Sequence, residues 1–114
     1  MPKVGRFVTD SGAGAYCQIT LDSGEKVIVN HDQGGFKGGL LTIEVSRFMG
    51  FSSDRIFSCD LDGQAGQEVL GWLTRGAAIG SVASTPLGAT VEFVREAATL
   101  AELRSRCAAL MAGR

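Results

Sequence analysis

Residues 15–30 read Ala-Tyr-Cys-Gln-Ile-Thr-Leu-Asp-Ser-Gly-Glu-Lys-Val-Ile-Val-Asn, and this stretch admits few folds. Cys17, Ile19 and Leu21 alternate with Gln18 and Thr20, a period of two that sends one set of side chains into a core and the other toward water. Asp22-Ser23-Gly24 supplies the turn, since Asp bonds its own backbone and Gly accepts positive φ. Val27 and Val29 then resume the inward face. The stretch is a β-hairpin, and strands on either side can extend it. Alternation also places Ile28 on the outer face, where Tyr16 would join it in an apolar patch. Left bare, such a patch marks a partner or self-association surface.

The same reasoning extends outward. Lys3 to Thr9 reads as a first strand, with Val4, Arg6 and Val8 on one side and Phe7 on the other. Asp10 to Gly14 is a turn. Leu40 to Phe48 alternates again, with Leu41, Ile43 and Val45 inward. Met49 to Asp54 breaks the pattern, and Arg55 to Leu61 forms a fifth strand with Phe57, Cys59 and Leu61 on one face. Beyond Asp62-Gly63 the period changes. Ala65, Val69, Leu70, Trp72 and Leu73 recur at helical spacing over residues 64–75, and Gly76 is placed to close the helix. Residues 77–88 have no clear period, and Thr85-Pro86 disfavours helix at that point. Val91 and Phe93 against Thr90 and Glu92 predict a sixth strand at about 89–95, added to one sheet edge. Thr99 and Glu102 form a capping box opening a helix over 99–112, with Leu100, Leu103, Cys107, Leu110 and Met111 on one stripe.

The expectation is therefore an α+β domain spanning 1–114, strand-rich over 1–62. Five to six short antiparallel strands should form a strongly bent or barrel-like sheet, followed by two helices, the last C-terminal. The composition agrees: 45% hydrophobic and 20% charged residues suit a folded chain, and 16 glycines suit tight turns between short strands.

The net charge of −1 gives no overall field toward nucleic acid or anionic lipid. No apolar run approaches the roughly 20 residues of a membrane span. The start, Met1 to Arg6, lacks the apolar segment of a secretory signal, and cysteines at 17, 59 and 107 form no paired motif. A reduced, cytoplasmic protein without membrane contact is expected.

Four places in the chain could carry specific chemistry. Gly34 to Gly39 could cradle an anion, but Lys37 is followed by Gly38, not by the Ser or Thr of a phosphate-binding loop. Gly35-Phe36-Lys37-Gly38 matches the bare GXXG of a KH domain, yet its flanks read as strands where that module has helices. The loop is otherwise a mobile connection between strands or a binding loop in which Phe36 stacks and Lys37 meets an anion. Gly35, Phe36, Lys37, Gly38 and His31 are the candidate binding residues.

Asp60-Leu61-Asp62-Gly63 fails as a calcium loop, because the register needs Glu at 69 and finds Val69, with Glu68 one place early. Asp62 or a neighbour should instead cap the following helix. Cys17, Cys59, Cys107 and His31 lack the close-spaced pairs of a zinc site, and each cysteine falls on an apolar face. No metal or cofactor is expected. Lys26, Lys37, Arg47 and Arg55, with Tyr16, Phe36 and Phe51 interleaved, could make a stacking surface for single strands, but Glu25, Glu44 and Asp54 lie beside them.

These readings favour a non-catalytic binding or protein-interaction module over an enzyme. The alternative is a small barrel that binds single-stranded nucleic acid, which the net charge does not favour. A cysteine-dependent enzyme is third.

Overall fold

In the computed structural model of the chain, residues 3–6, 8–10, 14–32, 39–47 and 52–112 are described here. Six strand segments come first: β1 (Lys3–Val4), β2 (Val8–Asp10), β3 (Gly14–Thr20), β4 (Lys26–Asp32), β5 (Leu40–Arg47) and β6 (Ser52–Asp60). Three helices follow: α1 (Gln64–Leu73), α2 (Pro86–Arg95) and α3 (Leu100–Ala112), with a short 3-10 turn at Val82–Ser84.

The strands form one antiparallel meander in the order β1-β3-β4-β5-β6, with β2 also paired to β3. The expected first strand is thus split in two along one edge. Val4 faces Ile19 while Val8 faces Tyr16, so four positions on the edge stand against three on β3. That one-residue insertion is a bulge-like irregularity. The opposite edge is β6, and β6 does not pair with β1 or β2. The sheet is open, and the barrel closure expected from strand length does not occur.

The central hairpin has the anticipated register, with Cys17 opposite Val29 and Ile19 opposite Val27. Its turn is closed by Leu21 N–H to Glu25 O at 2.9 Å and Gly24 N–H to Leu21 O at 2.9 Å. Gly24 sits at φ +101°, a conformation that side chains strongly disfavour. Two boundaries move. His31 and Asp32 belong to β4, not to the following loop, because they pair with Ala15 and Gly14. β6 begins at Ser52, three residues before the expected strand. It carries a bulge: Ile43 faces Phe57 and Glu44 faces Arg55, so Ile56 is the extra residue. Alternation is lost across a bulge, which hides the strand's first half from a period-of-two reading.

The inward residues Cys17, Ile19, Val27, Val29, Leu41, Ile43, Val45 and Phe57 form one buried cluster with side chains from all three helices. Val69 comes from α1, Leu87, Val91 and Val94 from α2, and Leu103, Cys107 and Leu110 from α3.

The segment expected as a sixth strand is helix α2, which makes three helices in place of two. Thr85-Pro86 does disfavour helix at Thr85, and that is its use. Thr85 is extended (φ −87°, ψ 155°) as an N-cap, and Pro86 occupies the first helical position. Thr85 Oγ1 accepts the Gly88 N–H at 3.1 Å. A Cβ on Gly88 would lie 1.8 Å from the Val82 carbonyl oxygen, so only glycine allows the helix to start this close to the preceding turn. Leu87 to Val91, Phe93 and Val94 are all buried, leaving Glu92 as the exposed side chain within that run. A helix enclosed on nearly every side has no polar stripe, so its period is unreadable.

α3 follows expectation. Thr99 Oγ1 accepts the Glu102 N–H at 3.2 Å, and the Glu102 carboxylate accepts the Ala98 N–H at 2.9 Å. The return bond thus goes one residue upstream of the cap. Leu103, Cys107 and Leu110 face the core, whereas Met111 is exposed. α1 is capped by Gly63, the neighbour of Asp62, with no side-chain bond. Asp62 instead accepts the Gly39 N–H at 3.2 Å, and Asp60 accepts the Asp62 N–H at 2.9 Å. Both carboxylates fasten the end of β6. No described helix is long and apolar enough to cross a membrane.

Candidate functional site

The thiols and the imidazole are part of the core. Cys17 is fully buried and its Sγ–H points at the Gly5 carbonyl, 3.4 Å away. Burial raises its pKa. Burial pushes the Cys107 thiol from 9.0 up to about 11, against the opposing pull of Arg106 and Arg104. Both therefore stay protonated at neutral pH, the form that neither attacks carbonyls nor binds metal. Cys59 is half-buried.

His31 is 6% exposed on the inward face. Pairing sets Ala15, His31, Leu41 and Cys59 in one row. His31 and Cys59 thus stand two strands apart, about 10 Å, too far for direct proton transfer. Among the described residues no group of three His, Cys, Asp or Glu could hold a metal ion. The candidate loop residues Gly35, Phe36, Lys37 and Gly38 lie outside the described residues, as do Phe48 to Phe51. His31 itself is buried in β4.

The outward face of the sheet differs. Pairing aligns two rows across four strands: Tyr16, Asn30, Thr42 and Ser58, then Gln18, Ile28, Glu44 and Arg55. Tyr16 is 40% exposed, Ile28 is half-buried, and Thr42 at the centre is buried, at 4% exposure. Arg55 Nε lies 3.7 Å from Glu44 Oε1, a half-exposed pair of modest strength. The expected outer patch of Tyr16 and Ile28 is present, and the expected mixing of charges holds where Glu44 meets Arg55. Asp54 meets Arg104 of α3 at 3.6 Å.

Of the residues at helical spacing in α1, Ala65 and Trp72 are exposed, Trp72 by 51%. Gly66 and Val69 are buried, and Leu70 and Leu73 half-buried. At 100° per residue Trp72 lies about 100° from the centre of that stripe. An apolar residue off the stripe was the signal available.

No protein-family model, curated protein or solved structure matches the chain.

Proposed function

We propose that the protein is a non-catalytic interaction module that meets a protein partner through the outward face of its sheet. The supporting observation is the asymmetry of the layers. Each helix contributes to the single core on the inward face, while the outward rows carry a half-exposed tyrosine, an isoleucine, amides, hydroxyls and one ion pair. An aromatic anchor amid neutral polar groups is the composition of a non-obligate protein interface. The sheet edges are poorer docking sites. β1 and β2 are short and interrupted, and β6 is bulged and carries Asp54, Arg55 and Asp60. Bulges and charges obstruct strand addition.

The test is an interaction measurement on the whole chain. Sedimentation over a range of concentrations reads self-association, and affinity capture followed by binding titration reads a separate partner. Tyr16→Ala with Ile28→Ala should weaken the measured association at least tenfold, about 1.4 kcal/mol, with little loss of stability. Association unchanged in the double variant would overturn the proposal. So would a strongly salt-dependent affinity for single-stranded oligonucleotides carried by this face, the signature of phosphate binding.

A further inference from the structure

On the opposite side of the molecule, α1, α2 and α3 enclose a cleft of about 280 Å³, bordered by Trp72, Arg75, Glu92, Phe93, Glu96 and Arg106. Phe93 is 6% exposed and provides an apolar floor. The Arg106 guanidinium lies over its ring, 4.5 Å from the centroid, and donates to Glu96 at 2.6 Å. Arg95 donates to Glu92 at 2.9 Å. Both acidic residues at the cleft are thus engaged by arginines. Arg75 is the exception: it makes no ion pair among the described residues. Arg75 and Arg106 against Glu92 and Glu96 leave the lining without net charge, so the distinguishing cation is Arg75, which stands beside a half-exposed indole. An indole buries a large apolar area when it packs, so one left open at a cleft wall forgoes that gain.

We propose that this cleft binds a small aromatic anion, with its ring against Trp72 and its carboxylate or equivalent group on Arg75. Three observations select this class. The volume, about 280 Å³, is just below the range of drug-sized pockets, about 300–1,000 Å³, and suits one or two rings. The exposed indole face favours a flat apolar body by offset or edge contacts. The unpaired Arg75 favours an anion, since a guanidinium binds carboxylate by charge-assisted, often bidentate, hydrogen bonds. A cation would meet carboxylates already held by Arg95 and Arg106. The Phe93-Arg106-Glu96 stack keeps the floor in one arrangement, so little ordering is required when a ligand enters.

The chain has one tryptophan, so its indole N–H gives a single, assignable NMR signal that reports on this cleft alone. Three probes share one ring system: naphthoate, naphthylmethanol and naphthylmethylamine, which are anionic, neutral and cationic. Naphthoate should shift the Trp72 indole signal saturably, with a Kd of about 1 mM or tighter. The neutral probe should bind about five- to tenfold more weakly and the cation more weakly still. Arg75→Gln should remove the advantage of the anion while leaving the melting temperature unchanged, because Arg75 is exposed. Raised salt should narrow the same gap. No saturable shift with naphthoate, equal affinity for all three probes, or an undiminished preference in Arg75→Gln would each overturn the proposal. The site is separate from the outward sheet face, so the Tyr16 and Ile28 variants should leave naphthoate binding intact.

Discussion

The two faces of this sheet are built from the same strands and have opposite surroundings. Ile43 on the inward face is fully buried beneath the helices, whereas Ile28, on the neighbouring strand, is half-buried on the outward face. Phe57 is packed into the cluster, and Tyr16 stands 40% exposed. Chemically similar side chains a few ångströms apart therefore do different work. One set removes apolar area from water on folding and holds the domain together. The other leaves apolar area in contact with water, which is the basis of the proposed association. The difference arises from chain order: all six strand segments precede the three helices, and the helices stack on one side.

The largest effects should come from the inward side. Phe57→Ala should cost about 3–5 kcal/mol and Leu103→Ala about 2–5, measured by denaturant unfolding, because each leaves a cavity between sheet and helices. Arg104→Ala, beside Leu103 but in an ion pair with the half-exposed Asp54, should cost less than about 0.5 kcal/mol. Equal small losses for Leu103 and Arg104 would mean that α3 does not cover the sheet.

Gly88→Ala should destabilise by about 1–3 kcal/mol, because the added carbon meets the Val82 carbonyl, a backbone group that cannot swing aside. Wild-type stability for this variant would show that α2 starts elsewhere and that the inward face is covered differently.

A pH effect comes next. Cys107 has its pKa raised by burial, from 9.0 to about 11. The folded state holds the proton more tightly than the unfolded chain. Its contribution is therefore fully present below about pH 9 and is lost as pH rises toward 11. Melting temperature should fall across that window, and less steeply in Cys107→Ala measured against its own value at pH 8. Native protein should also react slowly with thiol reagents at neutral pH. Modification of Cys17 or Cys107 within seconds would place that thiol outside the core. On the outward side the effect should again be small: Tyr16→Ala should change stability by less than about 0.5 kcal/mol.

Legibility from sequence followed the same division between one-sided and two-sided burial. The β3–β4 hairpin was readable because each strand has one wet and one dry face, so Cys17, Ile19, Val27 and Val29 alternate cleanly. α3 was readable because Leu103, Cys107 and Leu110 make a stripe against exposed Arg104 and Ser105. α2 was not, because burial on nearly all sides erased its polar stripe, and the chance alternation of Val91 and Phe93 imitated a strand. Pro86 was read as a breaker when it marked a start. The openness of the sheet depends on where β6 ends relative to β1, a long-range matter that local pattern does not carry. Of the candidate site, the outer patch of Tyr16 and Ile28 was legible from alternation alone. The cleft was not, since it needs Trp72, Phe93 and Arg106 brought together from three helices.

The most direct test of the two-face account is a matched deletion, Ile43→Ala against Ile28→Ala, in unfolding free energy. The same atoms are removed from adjacent strands. The account predicts a loss of about 2–5 kcal/mol at Ile43 and about 1 kcal/mol or less at Ile28. Equal losses at the two positions would show that both faces are covered, and would contradict the assignment of the outward face to a partner.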